Sequence, residues 1–537
     1  MSAMRLDRLL KGIATPAPGD IEVTGLTLDS RSVRAGDAFV ALAGARHHGI
    51  EFADAATAQG AVAILADKQG PGTGDQGPEA DVYETSLGPR SPVPGPVVWI
   101  ENLRLHLGAI AARFYGDPSA SMTVIGVTGT NGKTSTVQLL AQALRHVGRR
   151  AATIGTLGAG LHGALDPGAR TTPDVIRVHG LLARFRDAGA TDVAMEVSSH
   201  ALDQHRVDGL HFDVAVFTNL TRDHLDYHGT MEAYGAAKAK LFAWPNLRAA
   251  VINVDDAFGR ELAAQFEKQV RHPGQGNVIP AMDWPGSSAM EGKRSQILGG
   301  KQLLRYGIES ADADVRARSV RTHSGGIDFE LAVSGRADKV DSRLLGRFNV
   351  ANLLAVAGVL TALDVPFDEI VEALQALEPV AGRMNRLGGG ATPLVVVDYS
   401  HTPDALEQAL ATLRAHCEGR LICVFGCGGD RDAGKRPVMG AIAERLADAV
   451  FVTDDNPRGE DGDAIVAQIV AGMHAPEHAV VERDRARAIG LAIEQARGGD
   501  VVLIAGKGHE TYQENAGVKR PFDDLQVARA TLEAQPC

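Results

Sequence analysis

A chain of 537 residues with 45% hydrophobic and 22% charged side chains is too long for one ordinary core, so two to four globular domains are expected. Its net charge of −12 excludes the general basic surface that nucleic acid needs, and leaves anionic small molecules to local Arg and Lys. Four cysteines without a CxxC pair, charges where a signal peptide has its apolar core, and no apolar run of membrane-spanning length predict a cytoplasmic protein without membrane insertion.

The first segment, 1–117, alternates short apolar runs with turn residues. Asp29-Ser30-Arg31 and Ala35-Gly36-Asp37 separate the early runs, and Ala61–Ala66 and Val97–Ile100 read as further strands. The stretch from Asp67 to Pro96 is rich in Gly, Pro and acid; it cannot build a core and reads as a mobile surface insertion. Asn102–Tyr115 reads as a helix that Gly116-Asp117-Pro118 ends, which puts a domain boundary near Pro118.

The second segment, 118–380, opens on VIGVTGTNGKTS, Val124–Ser135. Val124, Ile125 and Val127 suit a covered strand, Gly129 and Gly132 a tight turn, and Gln138–Leu140 a helix whose N-terminus favours an anion. With Lys133 as cation and Thr134 as a hydroxyl suited to Mg²⁺, this reads as a nucleoside-triphosphate cradle. Val127 stands where the general GxxxxGK[ST] pattern has glycine.

Strand candidates Val193–Val197, Val214–Phe217 and Ala250–Val254 alternate with helical patterns. That predicts an α/β fold with a parallel sheet and ligands at the strands' carboxyl ends. Glu196–His200 and Thr218-Asn219-Leu220 fall at such ends. Glu196 and His224 can join Thr134 around Mg²⁺, but Mg²⁺ prefers oxygen, and the blander reading of His224 is a loop histidine bonded to backbone. Tyr234–Phe242, YGAAKAKLF, reads by pattern as a helix with a solvated face at Lys238 and Lys240. Residues 274–301 read as loop or edge structure, and Phe348–Asn352 opens an apolar helix.

The third segment, 381–537, carries four strand candidates: LVVVDY, LICVFGC, AVFVTDD and DVVLIAG. Their ends bear Ser400-His401, Gly428–Arg431, Asn456-Pro457-Arg458 and Lys507–Glu510, so a second α/β domain gathers polar residues at one edge.

In order along the chain, GVTGTNGKTS, MEVSSHAL, TNLTRDHLDYHG, YGAAKAKLF, GRFNVANLLA, GRMNR, DYSHTPDAL, GCGGDRDAGKRP, DNPR and GKGHE resemble the motifs of the Mur ligases. GTNGKT is that family's own form of the phosphate loop. The resemblance implies three domains: an N-terminal UDP-substrate-binding α/β domain (1–117), a central P-loop ATPase-like parallel sheet (118–380) and a C-terminal Rossmann-like domain for the amino acid (381–537). Gly129, Thr130, Asn131, Gly132, Lys133, Thr134 and Ser135 would hold the ATP phosphates, with Asn349, Asn352, Arg383, Asp398 and His401 on the nucleotide side. Thr134, Glu196 and His224 would surround Mg²⁺. Lys238 matches a lysine that CO₂ converts to a carbamate able to support a second Mg²⁺, and with Lys133, Glu196 and His224 it forms the implied catalytic set.

By the same resemblance, the UDP-linked peptide would meet Leu28, Ser30, Ala45, Arg46, His47, Thr171, Thr172, Ser198, Gln204 and Arg206; Ala45-Arg46-His47 departs from commoner versions of that loop. Arg431, Asp455, Asn456, Pro457, Arg458, Gly506 and Glu510 would hold diaminopimelate. The implied activity is ATP-dependent addition of meso-2,6-diaminopimelate to UDP-N-acetylmuramoyl-L-alanyl-D-glutamate through an acyl phosphate, in peptidoglycan precursor synthesis, by a monomer. An L-lysine-adding sibling is the nearest alternative, and DNPR opposes it because an arginine can fork onto the second carboxylate of diaminopimelate. Folylpolyglutamate synthase shares the ATPase core, but the N-terminal segment and DNPR disfavour it. A non-catalytic nucleotide-binding homologue is opposed by the intact Lys133, Glu196, His224 and Lys238.

Overall fold

The computed structural model describes residues 3–14, 20–44, 47–68, 96–168, 170–271, 301–323 and 325–534. Ala45, Arg46 and all but the ends of the expected insertion (67–96) and loop (274–301) lie outside the described residues. The chain forms two compact units, Met1–Leu304 and Arg305–Cys537.

In the first unit, β1 (Gly25–Thr27), β2 (Asp37–Ala41), β3 (Ala63–Asp67) and β4 (Val97–Ile100) form a parallel sheet in that order. Successive side chains of a strand point to opposite faces. Val40 and Leu65 therefore join Leu107 and Ile110 of α1 (Leu103–Tyr115), while Phe39 and Ile64 pack with Ala53 and Ala56.

The larger sheet of this unit contains β5 (Thr123–Thr128), β6 (Ala151–Gly155), β7 (Asp192–Glu196), β8 (Val214–Phe217) and β9 (Ala249–Asn253), in the parallel order β6-β7-β5-β8-β9. Every residue of β6 to β9 is buried, as in strands covered on both faces. The chain runs from β5 out to β6, returns through β7, and continues beyond β5 with β8. The loop after β5, which leads into α2 (Lys133–His146), thus sits where strand order reverses, the place where such sheets hold ligands. Glu196 pairs beside Val127 and Phe217 beside Thr128, so the ends of β7, β5 and β8 stand side by side.

One expectation is corrected. YGAAKAKLF does form helix, α3 (Met231–Ala239), continued by a 3₁₀ turn, but its lysines do not share a solvated face. Lys240 is partly exposed and ion-paired with Asp203 at 2.9 Å, whereas Lys238 is 1% exposed. The helix is covered on two sides: a Cβ at Gly235 would meet the Phe258 ring at 2.7 Å, and Lys238 reaches Gly129.

The second unit holds an antiparallel sheet of β10 (Val315–His323), β11 (Gly326–Val333) and β12 (Arg336–Ser342), then the apolar helix α4 (Arg347–Ala362). A six-stranded sheet follows, built from β13 (Asn385–Gly388), β14 (Leu394–Asp398), β15 (Leu421–Phe425), β16 (Ala449–Val452), β17 (Val480–Val481) and β18 (Val501–Ala505), in the order β13-β14-β18-β15-β16-β17. Alternate residues of its apolar strands divide into two cores. Val396, Cys423, Phe425 and Leu503 lie in one; Val397, Val424, Phe451 and Ile504 lie in the other. A hairpin of β19 (Tyr512–Asn515) and β20 (Val518–Pro521) closes the chain's last connection before the final helix.

Candidate functional site

In the first unit, β5 hands the chain to Gly129 at φ +146°, and a Cβ there would lie 1.9 Å from Thr218 Oγ1. Backbone and space both demand glycine. The loop is held from the end of β8: Thr130 N donates to Asn219 O (2.8 Å), Asn131 N to Asn219 Oδ1 (2.9 Å) and Thr218 Oγ1 to Asn131 O (2.6 Å). These bonds pre-shape a loop that ends on the N-terminus of α2, where the helix dipole favours an anion. Lys133 Nζ donates to Gly129 O and Thr130 O at 2.8 Å each.

Glu196, 1% exposed, is the acceptor on which this region converges. Thr134 Oγ1 donates to its Oε2 (3.0 Å), Thr156 N to Oε1 (2.7 Å) and Thr156 Oγ1 to Oε2 (3.2 Å). Thr172 Oγ1 donates to the Glu196 carbonyl (2.8 Å) and accepts from Ser198 N (3.2 Å); the Thr156 and Thr171 hydroxyls are 3.1 Å apart. Arg206 donates to Thr172 O (3.2 Å) and to Gln204 Oε1. Burial and the neighbouring Arg170 push the Arg206 guanidinium below its usual range, a cost that a bound anion would relieve. Thr171, Thr172, Ser198, Gln204 and Arg206, expected from motif resemblance to face one substrate, thus form one network with Thr134. Leu28, Ser30 and His47 stand instead on loops of the first sheet: Ser30 opens a 3₁₀ turn capped by Asp29, and His47 lies beside Glu51 at 3.2 Å.

Lys238 Nζ donates to Gly129 O (2.9 Å) and lies 4.2 Å from the Tyr234 ring centroid. Burial and the nearby Lys133 push its amine down to about 6. Tyr234 OH is 3.2 Å from Thr130 Oγ1, and its ring meets the His224 ring edge-on at 6.0 Å. Among the described residues, the His224 ring does not take the backbone partner expected of a plain loop histidine. Its Nε2 lies 3.4 Å from Asp223 Oδ2, on a residue held at φ +53°.

In the second unit, Asn349 and Asn352 are buried on α4 and bonded to each other (2.9 Å). Asp398 accepts from Met384 N (2.8 Å) and from Ser400 Oγ, and the His401 ring meets the Tyr399 ring at 4.5 Å. The Arg383 guanidinium lies 5.4 Å from that same Tyr399 ring.

The DNPR segment follows β16. Arg485, fully buried against Asp524 at 2.7 Å, also donates to Asp454 O and Ala505 O, which pins the ends of β16 and β18 together. Burial pushes the Asp455 carboxyl up against the opposing pull of Arg485 and Lys507. Asn456 Nδ2 donates to Glu510 Oε2 (2.8 Å), and Arg458 Nη1 donates to Gly429 O (2.8 Å). A Cβ at Gly506 would lie 2.6 Å from Asp455 Oδ2, so Gly506 stands beside Asp455 as Glu510 stands beside Asn456. Arg431 is exposed on the adjoining loop.

Sequence reasoning left several participants without a role. Thr156 completes the Glu196 acceptor set from 40 positions away, and Thr218 and Asn219 shape the phosphate loop. Tyr234 covers Lys238, and Lys507 bonds Asn456 and Glu510. Thr218-Asn219 and Lys507 did stand at strand ends, and that position was the available signal.

Three family descriptions match the chain: "Mur ligase family, catalytic domain" over 22–115, "Mur ligase middle domain" over 127–279 and 277–360, and "Mur ligase, glutamate ligase domain" over 382–508. The UDP-N-acetylmuramoyl-L-alanyl-D-glutamate–2,6-diaminopimelate ligase of Xanthomonas campestris pv. campestris (strain 8004) is 55% identical over 531 residues, 99% of this chain and 97% of that one. Its namesake from Xylella fastidiosa (strain 9a5c) is 53% identical over 533 residues, 99% and 98% of the two chains. A solved structure of a protein of that name matches at 34% identity and a TM-score of 0.69 over 99% of each chain. The chain belongs to the Mur ligase family.

Asn219→Ala removes both side-chain bonds to Asn131. We expect nucleotide binding to weaken by about 1–3 kcal/mol, roughly fivefold to a hundredfold, with thermal stability little changed. Titration with a non-hydrolysable ATP analogue checks this.

Proposed function

We propose that the chain is an ATP-dependent amide ligase that joins meso-2,6-diaminopimelate to UDP-N-acetylmuramoyl-L-alanyl-D-glutamate in peptidoglycan precursor synthesis. The observation that carries this reading is the meeting of the phosphate loop, through Thr134, and the acceptor-side threonines on one buried carboxylate, Glu196. Residues 1–117 would hold the UDP end, 118–380 the ATP, and 381–537 the amino acid, in a cytoplasmic monomer acting on small molecules alone.

The chemistry follows from charge. A carboxylate and an ammonium do not condense in water, so the D-glutamyl γ-carboxylate first takes the γ-phosphoryl group of ATP. One carboxylate oxygen forms the new O–P bond, the bond to the ADP oxygen breaks, and ADP leaves. The neutral amine of diaminopimelate then attacks the acyl carbon; the C–O bond breaks, phosphate carries that oxygen away, and the amine loses a proton. Lys133 would move from the loop carbonyls to the phosphate oxygens and offset charge there. Arg206, half-buried and bonded to the neutral Thr172 carbonyl and Gln204 Oε1, suits the anionic acceptor.

Mg²⁺ fits this donor set. Thr134 and Glu196 offer oxygen, and Mg²⁺ takes one or two carboxylates plus substrate phosphates rather than a protein cage. The bound ion would supply charge neutralisation between anionic nucleophile and phosphate. His224 and a carbamate on Lys238 would complete the set from the Tyr234 side.

An amine must be neutral to attack CO₂. The new N–C bond releases one proton and turns a cationic position into an anion. The Lys238 amine, lowered to about 6, is mostly neutral at pH 7 and protonated below pH 6. We therefore expect CO₂-stripped enzyme to regain activity with bicarbonate at pH 8 and to lose that response as pH falls through about 6. ¹³C-bicarbonate NMR should follow the same profile, and a response that persists unchanged at pH 5 contradicts it.

The function itself is tested by phosphate release with ATP and the UDP-linked acceptor. It should depend on meso-diaminopimelate and be weak with L-lysine. In Arg458→Ala the lost charge-assisted pair should weaken diaminopimelate use by about 2–5 kcal/mol, roughly thirtyfold to several-thousandfold, with ATP and acceptor little affected. It should not create a lysine enzyme, because nothing attractive for lysine is added. Equal use of both amino acids by the parent enzyme would remove the proposed specificity.

A further inference from the structure

Lys507 follows Gly506 at the end of β18, and its side chain is 0% exposed. Its Nζ donates to Tyr512 O (2.6 Å), Asn456 Oδ1 (3.2 Å) and Glu510 Oε2 (3.4 Å). An ammonium has three N–H donors, and here all three are used within the protein. Lys507 therefore has no donor left for a substrate and acts only through its partners.

Two of those partners, Asn456 and Glu510, belong to the proposed amino-acid pocket. Asn456 Oδ1 also accepts from Glu514 N (2.8 Å), so its oxygen meets two donors. A reversed amide would set its NH₂ against both, which fixes the orientation that geometry alone leaves open. Asn456 Nδ2 must then face Glu510 Oε2, to which it donates at 2.8 Å, and its second N–H takes no partner among the described residues. Glu510 Oε2 is engaged twice, by Asn456 and Lys507, while Oε1 takes no partner among the described residues. The third bond of Lys507 holds β19, whose Glu514 carbonyl accepts from Arg458 N (3.0 Å).

We infer that Lys507 is the positioning residue that sets the polarity of the amino-acid pocket. It leaves one amide N–H of Asn456 for a carboxylate and one oxygen of Glu510 for an ammonium, the two charges carried by each end of diaminopimelate. The inference rests on the proposed pocket and extends it: a strut that merely stabilised the unit would affect all substrates alike, whereas this hub affects the amino acid alone.

The test uses the full-length enzyme, with each of the three substrates varied in turn. Lys507→Met should raise the apparent KM for diaminopimelate roughly tenfold to a hundredfold, because Asn456 and Glu510 lose a shared donor. The KM values for ATP and the UDP-linked acceptor should stay within about twofold, and Lys507→Arg, which keeps a donor, should recover part of the loss. An unchanged diaminopimelate KM in folded Lys507→Met, or an equal rise in all three, overturns the inference. Should Lys507→Met not fold, Asn456→Asp carries the test. It replaces the N–H facing Glu510 with an anionic oxygen and should give the same rise confined to diaminopimelate; an unchanged KM there overturns the inference as well. Arg458→Ala is the reference. If it weakens diaminopimelate use while the Lys507 and Asn456 variants do not, this inference alone falls; if the parent enzyme shows no diaminopimelate-dependent turnover, the pocket falls with it.

Discussion

A buried carboxylate must be paired, and Glu196 is the one on which the first unit turns. Its two oxygens accept from Thr156, through both its N–H and its hydroxyl, and from Thr134, and its carbonyl accepts from Thr172. The first turn of α2, the loop after β6 and the segment around Thr172 are therefore fixed to the end of β7. Gly155 is small for the same reason: a Cβ there would sit 2.3 Å from Glu196 Oε1. The strand register supplies the rest, because it sets Glu196 beside Val127 and Phe217 beside Thr128. The proposed phosphate loop, the proposed metal donors Thr134 and Glu196, and Arg206 then meet with little further choice.

The second unit solves a similar problem with buried cations. Arg485 and Lys507 each gather acceptors from segments far apart in sequence, and the bonds they make cross between strand ends. Close backbone approach does the remainder. A Cβ at Gly429 would sit 1.9 Å from Pro457 O, so the GCGG turn lies directly on DNPR, and Arg458 reaches back to the Gly429 carbonyl. Arg458 sits at φ +55°, between backbone bonds to Glu514 and Ala516. The hairpin thus holds the residue whose guanidinium is proposed to select the substrate.

Local signals were legible in the sequence. Short apolar runs with turn residues at their ends identified β7, β8, β9, β14, β15 and β18 to within a residue or two and overran β16 by three, and Gly-Lys-Thr marked the junction between β5 and α2. Their covered faces explain this, since both alternate sets of side chains are apolar. Long-range partnership was not legible. Nothing around Thr156 announces a carboxylate 40 positions on, nor does GKGHE announce an asparagine 51 positions back. Lys238 looked solvated because a helix pattern reports one buried stripe, and α3 is covered on two sides. β10 and β12 carry charged residues among small ones, and β11 sets Ile327, Phe329 and Leu331 between acidic residues, so none of the three offered a continuous apolar run.

The proposed reaction brings ATP and the acceptor carboxylate together at the Glu196 network, so that phosphate leaves carrying an acceptor oxygen. It is tested most directly with acceptor labelled by ¹⁸O in both oxygens of the D-glutamyl γ-carboxylate. Turnover with ATP and meso-diaminopimelate should place one ¹⁸O in each phosphate released and leave the other in the amide product. Unlabelled phosphate, or label recovered in AMP, would contradict the account.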